Sequence, residues 1–104
     1  MLINNSEIDD VIPLEFYVSQ NYPNPFKEKT IIKYCVPYRT RVQLTVYDPE
    51  GKLIKKLVDE EKTPGTYEIE FQYVIFGEQL EVGEYYYCLE AGNYKSDKKM
   101  ELIK

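Results

Sequence analysis

Apolar and polar residues alternate with a period of two through most of this chain, and no stretch carries a helical period of any length. Leu14, Phe16 and Val18 alternate with Glu15, Tyr17 and Ser19, which predicts a first, half-buried strand from Leu14 to Gln20. Thr30 to Val36 predicts a second, with Ile32, Tyr34 and Val36 inward and Lys33 outward. Arg41 to Asp48 puts Val42, Leu44 and Val46 on one face. Asp48-Pro49-Glu50-Gly51 has the residue preferences of a type I turn, so Arg41 to Asp48 and Lys52 to Val58 read as a β-hairpin. Asp59 to Lys62 is expected as a solvated charge cluster leading into the turn signal Thr63-Pro64-Gly65-Thr66. Tyr67, Ile69 and Phe71 then face inward against Glu68 and Glu70. Farther on, Tyr85, Tyr87 and Leu89 form an inner face, Gly92-Asn93 a tight turn, and Tyr94 to Ile103 the last strand. About seven short strands at turn spacings of about ten residues predict an all-β antiparallel sandwich.

Two stretches break the alternation. In Gln20 to Phe26, QNYPNPF, two prolines fix φ and remove backbone donors, so the stretch fits neither a helix nor a central strand. It predicts a rigid corner whose aromatics, Tyr22 and Phe26, drive into the core around Pro23 and Pro25; Tyr22-Pro23 is a bond of the kind that tolerates cis geometry. The second is Tyr73, Val74, Ile75 and Phe76, four consecutive large apolar residues that one strand with a single core face cannot bury. They are a candidate partner patch, or else a strand at the sandwich edge folded under a loop.

At 104 residues the chain is expected to form one domain, 13–104, behind a poorly ordered leader or linker remnant, 1–12. That leader lacks the basic start and apolar run of a signal peptide, and no run is long enough to cross a bilayer, so membrane insertion is not expected. Thirteen basic against eighteen acidic residues leave a net charge of −5 and no basic stripe, which argues against a nucleic-acid partner. The chain has no His, which removes the usual general base and the commonest metal ligand. With it go the Ser/His and Cys/His dyads. No enzyme activity and no cofactor are expected.

The remaining candidate chemistry is thin. Cys35 and Cys88 fall on strands where antibody domains carry their inter-sheet disulfide, but the alternation turns both outward on opposite sheets, so two free thiols are expected. With two sulfurs and no His, a zinc site is excluded as an expectation. Asp48, Glu50, Glu78, Glu81 and Glu84 do not have the spacing of a calcium loop, and Pro49 with Gly51 accounts for the turn without a metal. Two carboxylates that could serve a glycosidase occur by chance among so many, with no pocket-forming insertions around them. Tyr86 and Tyr94 are expected to point outward, where tyrosines can stack on sugar rings.

Taken in order, QNYPNPF, TIIKYCVP, VQLTVYDPEGKLIKKLVD, PGTYEIEF, LEVGEYYYCLEAG and the closing KKMELIK resemble the immunoglobulin-like C-terminal sorting domain of type IX secretion substrates, type A. The chain is also similar to the immunoglobulin-like domain of the flagellar hook-capping protein. The resemblance runs from Leu14 to Lys104 and departs from the family in the extra residues centred on Tyr73 to Phe76. It implies an immunoglobulin-like sandwich that directs a secreted or cell-surface protein through a translocon, with the cargo upstream. The family's signal is concentrated in the last strands, which maps translocon recognition onto Gly83, Tyr85, Gly92, Lys98, Lys99 and Lys104. Outward lysines on a terminal edge strand suit docking and also guard against self-pairing. The competing expectation is an accessory or adhesion module binding glycan or protein.

Overall fold

The computed structural model describes residues 12–104; apart from Ile12, the expected leader lies outside them. It is an all-β, immunoglobulin-like sandwich. The strands are β1 (Tyr17–Val18), β2 (Lys29–Val36), β3 (Thr40–Tyr47), β4 (Leu53–Lys62), β5 (Gly65–Gln72), β6 (Val74–Ile75), β7 (Glu78–Gln79), β8 (Gly83–Ala91) and β9 (Tyr94–Leu102). One sheet has the order β1-β2-β5, the other β4-β3-β8-β9, and β6 pairs with β7 as a separate hairpin. Every strand pairing is antiparallel.

The period-two pattern becomes the core as expected. Ile32, Tyr34, Val36 and Phe71 of one sheet meet Val42, Leu44, Val46, Tyr87 and Leu89 of the other in a single buried cluster. At about 25 cal/mol per Å² of apolar surface removed from water, this layer supplies most of the drive to fold. Polar groups inside it are answered: the Tyr87 hydroxyl donates to Ser19 O at 2.6 Å, which ties β8 of one sheet to the segment after β1. Burial raises the Tyr87 pKa.

The Asp48–Gly51 turn forms as its residues predict. Gly51 N–H donates to Asp48 O at 2.9 Å, and the Asp48 carboxylate accepts from the N–H groups of Glu50 and Lys52 at 3.0 and 2.8 Å. The strand after it runs longer than expected, because Asp59 to Lys62 continue β4 instead of standing outside it. An edge strand tolerates such charges. Arg41 on β3 also holds the Asp59 carboxylate at 2.8 Å, and hydrogen bonds from Gln43 and then Arg41 lower the Asp59 pKa.

The first strand is shorter than the alternation implies. The strand proper is Tyr17 and Val18, paired with Cys35 and Tyr34 of β2; Val18 is buried, and Leu14 is 95% exposed. Tyr94, expected outward, shares the inward side of β9 and stacks on Phe16 with ring centroids 5.5 Å apart.

Candidate functional site

β9 alternates like the other strands. Tyr94, Ser96, Lys98, Met100 and Leu102 lie on the more buried side, and Lys95, Asp97, Lys99 and Glu101 are exposed. On one side it pairs with β8 in unbroken register, from Gly83 opposite Leu102 to Ala91 opposite Tyr94. On the other side no strand of the described residues follows. The far half of that open edge is taken by the QNYPNPF corner. Gln20 Nε2 donates to Lys99 O at 2.6 Å, Phe26 N–H to Glu101 O at 2.9 Å, Glu101 N–H to Asn24 Oδ1 at 2.9 Å, and Ile103 N–H to Phe26 O at 2.8 Å. Backbone groups alternate in direction along an antiparallel strand, so Lys95 and Asp97 share the open side with Lys99 and Glu101. There, no strand of the described residues pairs with them.

The corner is rigid because its polar groups satisfy one another. Asn21 is buried, and its amide donates to Thr30 Oγ1 at 2.9 Å and to Pro23 O at 3.1 Å; the Thr30 hydroxyl donates to the same carbonyl at 2.8 Å. The Tyr22–Pro23 and Asn24–Pro25 bonds are both cis. Phe26 is 1% exposed and meets Phe71 edge to face at 6.1 Å. Tyr22 corrects the expectation that both aromatics are buried, for it is 80% exposed. Its backbone bridges Ile31, the residue between the inward Thr30 and Ile32, and directly opposed residues share a face, so the ring points outward.

The residues expected to carry recognition do not form one cluster. Gly83 and Tyr85 lie opposite Leu102 and Met100, and Lys99 lies opposite Tyr86, its ammonium 3.6 Å from the Glu84 carboxylate. Exposed Lys104 follows at the same end of the sandwich. Gly92 is at the other end, in the β8–β9 turn with φ +58°, where an added Cβ would stand 2.9 Å from the Tyr38 hydroxyl. Lys98 corrects the picture of two outward lysines: it is half-buried on the side of Met100, one residue out of phase with Lys99. The Tyr85 hydroxyl donates to Glu81 O at 2.6 Å, and burial, with Glu81 close by, raises its pKa.

The run Tyr73 to Phe76 alternates after all. Tyr73 and Ile75 pack against the core, while Val74 is partly and Phe76 fully exposed. Val74 and Ile75 pair with Gln79 and Glu78 in a two-residue hairpin, whose base is tied down by Tyr73 N–H donating to Glu28 O at 2.9 Å.

Cys35 lies in the three-stranded sheet and Cys88 in the four-stranded one, and both are free. Cys88 faces outward but is covered, at 8% exposure. It sits in the floor of a cleft of about 270 Å³ whose walls include Tyr47, Tyr86, Asp97 and the Asp48–Gly51 turn. Burial, and then Asp97 beside it, pushes its thiol up to about 12. Among the described residues no three His, Cys, Asp or Glu side chains converge in a way that could hold a metal.

A family model described as "Secretion system C-terminal sorting domain" matches residues 20–103. Among solved structures, the crystal structure of dimeric latent PorU from Porphyromonas gingivalis is similar, with a TM-score of 0.61 and 19% identity. The likeness covers 80% of this chain and 9% of that one, and it is one of fold. No curated protein matches the chain.

Proposed function

Because the chain belongs to the family of secretion system C-terminal sorting domains, we propose that it is the sorting and anchoring module of a secreted protein, read by an outer-membrane translocon of type IX through its last strand. Membership implies a secreted or cell-surface protein that engages the secretion system and carries cargo. The finer reading is carried by one observation: the terminal strand β9 is an edge strand whose far half is pinned by the QNYPNPF corner. A partner strand can add to the open backbone of Lys95 and Asp97, while exposed Lys99 and Lys104 give it a charged rim. Gly83 and Tyr85 hold the strand from the other side. Gly92 and Lys98 serve the fold in this reading, the first by its turn geometry.

Phe16, where the chain comes in, stacks on Tyr94 at the start of β9, so the open backbone of Lys95 and Asp97 lies at the same end of the strand as the incoming chain. The domain itself performs no reaction; its mechanism is display of a strand on a rigid support.

The test is a fusion of the chain behind a periplasmic reporter in a type IX host. Export of the reporter, lost when the residues after Tyr94 are removed, is the expected result. Retention of the intact fusion in the periplasm counts against sorting. A second reading, an accessory module that binds glycan or protein, draws on the Tyr47 and Tyr86 cleft, where Tyr86 is partly exposed on the outer face. Specific binding of the isolated domain on a glycan array, abolished by Tyr86→Ala, supports that alternative.

A further inference from the structure

Phe76 sits at the tip of the β6–β7 hairpin with φ +52°, followed by Gly77 at φ +83°. Two central residues with positive φ make the mirror-image turn that suits a two-residue hairpin, and the residue favoured in the first position is Asn or Asp. A bulky aromatic there is strained. Nothing in the fold repays that strain, because the Phe76 side chain is 92% exposed. The hairpin is nevertheless well seated: Tyr73, Ile75 and Leu80 pack on the core, and Leu80 N–H donates to Tyr73 O at 2.8 Å. A fixed base therefore holds out a large apolar group in the backbone shape least suited to it.

Its surroundings describe what it meets. From Glu70 to Glu84 the chain carries four carboxylates, Glu70, Glu78, Glu81 and Glu84, and no Lys or Arg. A groove of about 630 Å³ runs from the hairpin's base to Lys104, lined by Leu80, Val82 and Ile103 and by two lysines, Lys27 and Lys104, against Glu28 and Glu81, so the acidic excess belongs to the hairpin side and not to the groove. We infer that Phe76 is an aromatic anchor for a protein of the export machinery, one that receives it in an apolar pocket rimmed by basic residues. Exposed aromatics inserted into partner pockets are the usual centres of binding energy, and the acidic rim adds steering and register. This inference rests on the sorting reading.

The reporter fusion tests it with Phe76→Asn, which fits the turn and removes the anchor. The expected Tm is equal to or above wild type, with export weakened about tenfold or more, the effect of truncating one strong contact. Phe76→Leu, apolar but no better suited to the turn, retains most of the export. Glu78→Lys with Glu81→Lys weakens it. Wild-type export together with unimpaired export of Phe76→Asn overturns this inference alone. A Tm for Phe76→Asn below wild type overturns it too, since Phe76 then serves the fold. A wild-type fusion that stays in the periplasm overturns the sorting reading and this inference with it.

Discussion

Phe26 forms a parallel bridge with Leu102: its N–H donates to the carbonyl before Leu102 and its C=O accepts from the N–H after it. An early aromatic thus closes hydrogen bonds on both sides of a residue near the chain's end, and its ring fills the core below.

The two aromatics of the corner should separate sharply in mutagenesis. Phe26→Ala removes a fully buried ring and is expected to cost about 3–5 kcal/mol of stability. Tyr22→Ala removes an exposed one and should change stability by less than about 1 kcal/mol. Urea midpoints measure both. In Phe26→Ala, amide exchange at Glu101 and Ile103 should also accelerate more than exchange at Val42 or Leu44; equal acceleration everywhere would mean the corner does not clamp β9.

Gly92 offers a test of structure against recognition. Gly92→Ala must hold a left-handed φ and crowd the Tyr38 hydroxyl, and it should lose about 1–2 kcal/mol. Tyr38→Phe in the same chain removes the crowding oxygen but leaves the backbone conformation as it was, so it should restore part of the loss. If Gly92→Ala folds as stably as wild type yet fails in export, Gly92 belongs to the recognition surface after all.

Cys88 sets an alkaline limit. Its thiol is raised from an ordinary 9.0 to about 12, so the folded state keeps a proton that the unfolded state gives up. That contribution is fully present below pH 9 and is lost as pH rises from 9 toward 12. Burial raises Tyr34, Tyr85 and Tyr87 in the same direction from 10.0, which steepens the decline above pH 10. Urea midpoints between pH 8 and 10 should therefore fall faster in wild type than in Cys88→Ala. Matching slopes would show that the cleft does not shelter this thiol.

Much of the sandwich was legible because burial imposes a period of two. Ile32, Tyr34, Val42, Leu44, Tyr87 and Leu89 all lie where alternation put them. Alternation fails where one residue, not a strand, sets the pairing. Tyr22 turns outward because an isolated bridge to Ile31 fixes its face, and no local pattern encodes that bridge. Lys98, expected outward among the lysines onto which the family resemblance maps, takes the inward side because it stands two residues before Met100. The β6–β7 hairpin was hidden because Phe76-Gly77 lacks the Asn-Gly signal of its turn. The clamp between the corner and β9 joins distant parts of the chain, and such contacts leave no mark in either segment alone.

That clamp also makes the fold sensitive to its own completeness. A chain cut short before Glu101 leaves the N–H and C=O of Phe26 without their partners and opens the space that Leu102 fills. Since β9 is both a wall of the core and an edge of its sheet, a cut there unseats Phe26 and Leu102 together. The corner and β9 therefore act as latch and catch, and neither holds its shape without the other.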